Sequence, residues 1–324
     1  MARPILVGRI QLQLSFPLSL VVSREVPFIE VCLALFSGFE HIVREQESLA
    51  PFTWFRLGGA AEYFAEPSTE EELAEIVRRC HDQDVPVHLL GGGSNILVSD
   101  SGVPGMVLHL SAAAFSQIEI NGCQVRAGGG AKLAHLVSTT VGAGLAGLEQ
   151  LAGIPGSVGG ALHGNAGTQS GDIGQWTTQA VVMTRDGTIV TRTSEELRFS
   201  YRQASLDELV ILTGEFTLEE ADSQEVVKRM QTSWIVKKSE QPSGQQGTGA
   251  VFKDPGGITA ASLIEQAGLK GHLVGGVQVS EENPNFLLVQ ENGTSQNVLE
   301  LIEMIRQEVQ ERTGIELEVQ TEIW

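Results

Sequence analysis

Glycine is massed in this chain, not scattered: 37 of its 324 residues are glycine, and many fall in a few runs. Gly91-Gly92-Gly93-Ser94-Asn95 follows the short β-rich run Val85–Leu90. A second run, Gly153-Ile154-Pro155-Gly156-Ser157-Val158-Gly159-Gly160, is followed closely by Gly164-Asn165-Ala166-Gly167. Backbone without side chains can press against a ligand and offer successive N–H groups to its oxygens, with the Ser94 hydroxyl and Asn95 amide assisting. The first run is not a P-loop, because no Lys-Ser/Thr follows its glycines, and it does not fit GxGxxG. Alone it reads as a phosphate cradle or as an ordinary tight connection. The second cluster moves the reading toward a ligand. Two such clusters can clasp one extended molecule from two sides, and a large dinucleotide with a planar ring at one end fits best.

Composition excludes several other classes. Forty acidic residues against 21 basic ones give a net charge of −19, which argues against a nucleic-acid partner. The apolar runs fall short of the roughly 18 residues that a membrane span needs, so no membrane partner is expected. Cys32, Cys80 and Cys123 are widely spaced and form no CxxC pair, which suits a reducing, cytoplasmic setting. The seven histidines never fall at HxxxH or HxH spacing, so no metal site is expected. Near the N-terminus, Arg3 and Arg9 precede an apolar stretch, Leu12–Val22, interrupted by Gln13 and Pro17. It has the outline of a secretory signal without a small-x-small cleavage site, and is read as a loose extension over residues 1–44.

Three blocks follow, over residues 45–110, 111–220 and 221–324. The first carries a helix-start signal at Ser68-Thr69 with Glu71-Glu72, then Leu73, Ile76, Val77 and Cys80 at helical spacing. The second holds a hairpin around Asn121-Gly122, a helix with Leu133, Leu136 and Val137, and a second hairpin around Arg185-Asp186-Gly187. The third opens with the capping pair Asp222 and Glu225 on a helix bearing Val226, Val227, Met230 and Trp234. A last helix presents Val298, Leu301, Ile302, Ile305 and Val309 and stops at Gly314 before a final strand. The class is α+β.

Six motifs in order resemble the UDP-N-acetylenolpyruvoylglucosamine reductase family. They are Thr53-Trp54-Phe55-Arg56-Leu57-Gly58-Gly59, Gly91–Asn95, Gly153–Gly160, Asn165-Ala166-Gly167, Phe199-Ser200-Tyr201-Arg202 and Gly249–Pro255. The resemblance covers about residues 40–324, and the short connection after Arg202 matches the subtype without an extra substrate loop. It implies a two-part FAD-binding domain of the vanillyl-alcohol-oxidase/p-cresol-methylhydroxylase type and a C-terminal α/β substrate domain. It also implies reduction of a UDP-sugar enolpyruvyl ether to UDP-N-acetylmuramate, a bacterial cell-wall precursor, with NADPH as reductant. Gly91, Gly92, Gly93, Ser94, Asn95, Ile154, Pro155, Gly156, Ser157, Gly160, Asn165, Ala166 and Gly167 are then the expected FAD contacts. Arg202 becomes the cation for an enolate, the alternative being a surface ion pair. Tyr201, Lys237, Lys238 and Lys253 are expected at the substrate, although Lys237 and Lys238 also suit a helix C-terminus.

The chain departs from the family where a proton is delivered. The family's Ser or Cys donor falls on Ala250, and its last-strand Glu falls on Gln320. The Lys-Asn-Pro run reads Lys253-Asp254-Pro255, placing a carboxylate that either repels a diphosphate or pairs with Lys253. A two-residue slip would bring Glu318 or Glu322 to the site on the same strand face, and Thr248 is another candidate hydroxyl. A positioned general acid is worth about 10²–10⁴ in rate. The sequence therefore admits a slow reductase of the family, a flavin- or UDP-sugar-binding pseudoenzyme, or a flavin oxidoreductase redirected to another substrate.

Overall fold

Alternating apolar positions and capped helices build three layers in succession. The structure is a computed structural model that describes residues 35–242 and 250–324. Of the separate N-terminal unit, residues 1–37, it describes 35–37; the extension and Cys32 lie outside the described residues.

The first block contains β1 (Val43–Ser48), β2 (Ala60–Ala65), α1 (Glu70–Asp82), β3 (Val87–Leu90), β4 (Ile96–Leu97) and β5 (Val103–His109). Its sheet runs β1-β2-β5-β3, with β1 antiparallel to β2 and the other pairs parallel; Val107 sits opposite both Phe64 and His88. The α1 N-terminus is held by Thr69, whose Oγ1 accepts the Glu72 N–H at 3.2 Å. Leu73, Ile76, Val77 and Cys80 are fully buried beneath it, and burial pushes the Cys80 thiol up to about 12. Strand β1 starts inside the stretch expected to be loose. Its sequence, Val-Arg-Glu-Gln-Glu-Ser, shows no apolar alternation because it is an exposed sheet edge.

The second block contains β6 (Ile118–Asn121), β7 (Gln124–Gly128), α2 (Leu133–Gly142), α3 (Val158–His163), β8 (Thr177–Met183), β9 (Ile189–Thr193), β10 (Phe199–Ser200), β11 (Gln203–Ala204) and β12 (Val210–Thr217). An antiparallel sheet runs β9-β8-β12-β7-β6, pairing Val181 with Thr213 and Gly214 with Ala127. Both expected hairpins are present, closing at Asn121-Gly122 and between Met183 and Ile189. Leu133, Leu136 and Leu162 from α2 and α3 are buried with Val182 and Phe216 of this sheet.

Helix α4 (Ser223–Ser239) is capped by Asp222, whose Oδ1 accepts the Gln224 and Glu225 N–H groups at 3.0 and 3.1 Å. Its Val226 is buried in the second core, with Val227 and Met230 packed against it. Trp234, which shares their spacing, is instead 51% exposed, and its neighbours Ile235 and Val236 are exposed too. The last turns of α4 run on past the core that buries the first.

The third block contains α5 (Ala260–Gln266), β13 (Leu273–Val274), β14 (Val277–Val279), β15 (Leu287–Val289), α6 (Ser295–Thr313) and β16 (Glu322–Ile323). Leu263, Ile264, Val277, Leu287, Leu301 and Ile305 form its core, joined by Phe55 and Leu97 from the first block. Two further ties bind these ends of the chain. Strand β16 pairs in parallel with β4, and Asp100 accepts the Ser295 and Gln296 N–H groups at 3.0 and 3.2 Å. Among the described residues, no helix is long and apolar enough to cross a membrane.

Candidate active site

A cavity of about 1480 Å³ opens where the three blocks meet. Its floor is glycine. Strand β3 ends at Leu90 and delivers Gly91–Asn95; α3 starts at Val158 after the Ile154–Ser157 run, with Ser157 Oγ accepting the Gly160 N–H at 3.3 Å. The two runs were expected to face each other across a ligand. They touch instead: a Cβ on Gly92 would lie 2.7 Å from Gly156 Cα, and Ser94 Oγ reaches the Pro155 carbonyl at 3.5 Å. They form one continuous surface. Gly93, at φ +63°, turns against Phe52, where a Cβ would come within 1.9 Å of the Phe52 carbonyl oxygen. Among the described residues, the N–H groups of Gly92, Gly93, Ser94 and Gly156 donate to no protein acceptor. Glycine at these points lets the two runs pack against each other and against Phe52, and the floor so formed presents unused donors.

Arg202 reaches the same cavity from the tight β10–β11 hairpin. Its backbone has φ +55°, and among the described residues no carboxylate pairs with it. The surface-ion-pair alternative has no support here. Asn165 does not line the cavity. It is buried, donates from Nδ2 to the Ser200 carbonyl at 2.8 Å and accepts the Gly174 N–H at 3.1 Å, so it braces the hairpin that carries Arg202. Gly167 and Tyr201 also lie off the cavity wall. The Tyr201 hydroxyl accepts the Asp254 N–H at 3.3 Å, tying the hairpin to the third block.

The facing wall resolves the register of the last strand. Gln320 N–H donates to the Val251 carbonyl at 2.9 Å, Lys253 N–H donates to the Glu318 carbonyl at 2.9 Å, and Phe252 bridges Val319. The Gln320 side-chain amide donates to the Ala250 carbonyl, and Asn95 Nδ2 donates to the Gln320 carbonyl at 2.9 Å. A slip of two residues therefore does not occur. Glu318 pairs with Lys253, and Glu322, which also lines the cavity, sits in β16 beside Ile96 and not against Ala250. Ala250, Gln320 and Lys253 all line the cavity; Thr248 lies outside the described residues.

The charged residues near this wall have partners of their own. Asp254 does not pair with Lys253; its Oδ1 accepts the Ala260 N–H at 2.8 Å and holds the start of α5, a role for which one carboxylate oxygen suffices. Lys253 is engaged by Glu318 instead. Lys237 lines the cavity while pairing with Glu240 at 3.0 Å, whereas Lys238 is exposed and off the wall. Successive helical residues point about 100° apart, so one helix face cannot present both.

The sequence also hid some residues. Asn285 is buried and mimics a strand: its Oδ1 accepts the Phe252 N–H and its Nδ2 donates to the Phe252 carbonyl, both at 2.9 Å, while its own carbonyl accepts the Val251 N–H. Lys132, at the start of α2, and His163, at the end of α3, both line the cavity. Lys132 carried no pattern at all. His163 stands just before Gly164-Asn165, and that adjacency was a usable signal.

An FAD fits this floor by a structural criterion: the residues whose N–H groups are unspent among the described residues, Gly92, Gly93, Ser94 and Gly156, all line the one cavity. Residues 61–193 match the FAD binding domain model, and residues 241–324 match the model of the UDP-N-acetylenolpyruvoylglucosamine reductase C-terminal domain. UDP-N-acetylenolpyruvoylglucosamine reductase from Rhodopirellula baltica is 38% identical over 284 residues, covering 88% of this chain and 93% of that protein. The chain belongs to the UDP-N-acetylenolpyruvoylglucosamine reductase family. The Listeria monocytogenes member is 36% identical, covering 88% and 96% of the two chains. A crystal structure of the Thermus caldophilus reductase superposes with TM-score 0.75 at 35% identity, covering 87% of this chain and 99% of that one. The fold is thus that of a reductase of this family: an FAD-binding domain, then a C-terminal domain.

Proposed function

We propose that this chain reduces the enolpyruvyl ether of a UDP-amino sugar to the lactyl ether of UDP-N-acetylmuramate, with NADPH as reductant. The observation that carries the reading is the convergence, in one cavity, of glycine amides and an Arg202 that have no protein partner among the described residues, with the Ala250–Gln320 wall. When bound, FAD supplies the hydride chemistry, accepting from NADPH and giving to the enolpyruvyl carbon. Gly91–Asn95 and Ile154–Ser157 would hold its diphosphate, with Gly160 and Ala166 lining the same cavity.

The chain's own residues then handle charge and protons. Arg202 stabilises the enolate as a fixed planar cation, held by Asn165 through Ser200 and by Tyr201 through Asp254. Lys237 and Lys253 serve substrate phosphates by exchanging their present carboxylate partners, Glu240 and Glu318. Ala250 has no proton to give, and the Gln320 amide is spent on the Ala250 carbonyl. The pair therefore shapes the wall without supplying an acid. A cytoplasmic setting and the absence of nucleic-acid and membrane partners belong to the same reading, supported by the acidic net charge and by unpaired, partly or fully shielded Cys80 and Cys123.

Anaerobic stopped-flow tests it. NADPH should bleach the flavin, and the enolpyruvyl UDP-sugar should restore its absorbance while the lactyl product accumulates. Identical traces with and without that substrate would overturn the reading in favour of a binding protein or a redirected oxidoreductase.

A further inference from the structure

With Ala250 and Gln320 unable to give a proton, the carbon proton needs another source in the same cavity. Lys253 is paired with Glu318, and Lys237 with Glu240. His88, Lys132 and His135 also line the cavity without an ion pair among the described residues; His163, at the last position of α3, differs in that its ring is anchored on a backbone carbonyl. Its Nδ1 lies 2.9 Å from the Leu206 carbonyl oxygen. A carbonyl only accepts, so Nδ1 carries a hydrogen and the ring is fixed with Nε2 as its exchangeable atom. A bond already described also ties the segment that carries His163 to the hairpin that carries Arg202. Asn165, two residues on, donates to Ser200, two residues before Arg202. Both residues line the cavity.

We propose that His163 is the acid that protonates the enolate carbon in this chain; the proposal rests on the reductase reading above. The Nε2–H bond of the imidazolium breaks and its proton forms the new C–H bond, using the electron pair of the enolate carbon–carbon double bond as the carboxyl C=O re-forms. The neutral ring keeps its Nδ1–H on Leu206 and regains a proton from water. Arg202 holds the oxygen end while His163 serves the carbon end, so each of the two opposite demands of the step has its own group.

The variant His163→Asn tests this, because an asparagine amide can still donate to the Leu206 carbonyl while removing the ionisable ring. FAD affinity, read by fluorescence titration, and NADPH-driven bleaching are expected to match wild type. Reoxidation by the enolpyruvyl UDP-sugar is expected to slow by about 100-fold, and added imidazole to recover about tenfold of it, which a purely structural loss would not allow. In FAD-loaded wild type, the ¹⁵N resonance of His163 Nε2 should shift when UDP-N-acetylmuramate is added, with Nδ1 unmoved. Reoxidation in His163→Asn at the wild-type rate, or an Nε2 resonance indifferent to the ligand, overturns the assignment. If wild type itself is not reoxidised by the substrate, the reductase reading fails first, and the two failures are distinct.

Discussion

The floor and the facing wall of the cavity are built from similar materials and used in opposite ways. On the floor, Gly92, Gly93, Ser94 and Gly156 leave their N–H groups unspent among the described residues. On the wall, the Val251, Phe252, Lys253 and Gln320 N–H groups are all spent on protein acceptors, and even the Gln320 side chain is turned onto the Ala250 carbonyl. Unspent donors that line a cavity are available to a ligand. Spent donors make a rigid partition that needs mobile or ionisable side chains to do chemistry, and at Ala250 and Gln320 these are missing. Cofactor holding and proton delivery have come apart in this chain.

The largest effect should follow from breaking the floor. In Gly92→Val the new Cβ meets Gly156 Cα at 2.7 Å, backbone against backbone, so the two runs must separate. FAD affinity is expected to fall by about 10³-fold or more, on the order of 4 kcal/mol for several lost amide contacts. Flavin fluorescence titration checks it, with circular dichroism confirming the fold. Affinity unchanged within threefold would mean that the glycine floor does not carry the cofactor.

Next in size is Arg202→Gln, which removes the cation and keeps a planar polar end. Flavin binding and NADPH-driven bleaching should persist, while substrate-driven reoxidation falls by about 10²–10³-fold. Equal losses in both half-reactions would place Arg202 on the floor's side of the comparison.

The floor was legible in the sequence because its signal is compositional: only an extraordinary local demand concentrates glycine as at 91–93 and 153–160. Helices were legible for a similar reason, since Thr69, Asp222 and the apolar face of α6 are local statements. What the sequence could not show is which donors are spent. Asn165 reads as one more loop amide, and only the fold reveals it bracing the Arg202 hairpin. Asn285 lies 33 residues from Phe252, a tertiary partnership with no periodicity to betray it. Strand β1 was missed because an exposed edge has no buried face to pattern. The contact between the two glycine runs is likewise a property of packing, not of spacing.

A gain of function sharpens the comparison from the other side. Ala250→Ser combined with Gln320→Glu restores a hydroxyl and a carboxylate at positions that the strand register brings together. Reoxidation by the enolpyruvyl UDP-sugar should rise by about tenfold, below the full value of a general acid because the new carboxylate loses the bond that the Gln320 amide gives the Ala250 carbonyl and must turn away from that acceptor. FAD affinity should not change. No gain would show that the wall has lost its substrate geometry along with its acid.

The smallest effect concerns the joint between floor and wall. Asp100 stands shortly after the first glycine run and accepts two N–H groups at the start of α6, which belongs to the wall's block. Burial pushes its carboxyl up, but the Ser295 backbone N–H, the Ser295 side chain and the Gln296 N–H together outweigh this and hold it below the ordinary aspartate range. A lowered folded-state pKa means that the charge contributes stability fully above the unfolded value and loses it as pH falls through the folded one. Asp100→Asn keeps one acceptor oxygen and loses the charge, so at pH 7 it should cost about 1 kcal/mol in urea unfolding. That difference should stay level from pH 8 to pH 6 and shrink below about pH 4, where the wild-type carboxylate is protonated in the unfolded chain. A pH-independent difference would show that geometry, not charge, makes the joint. FAD affinity should be untouched in the variant, whereas any slowing of reoxidation would mean that the floor and wall depend on Asp100 for their alignment.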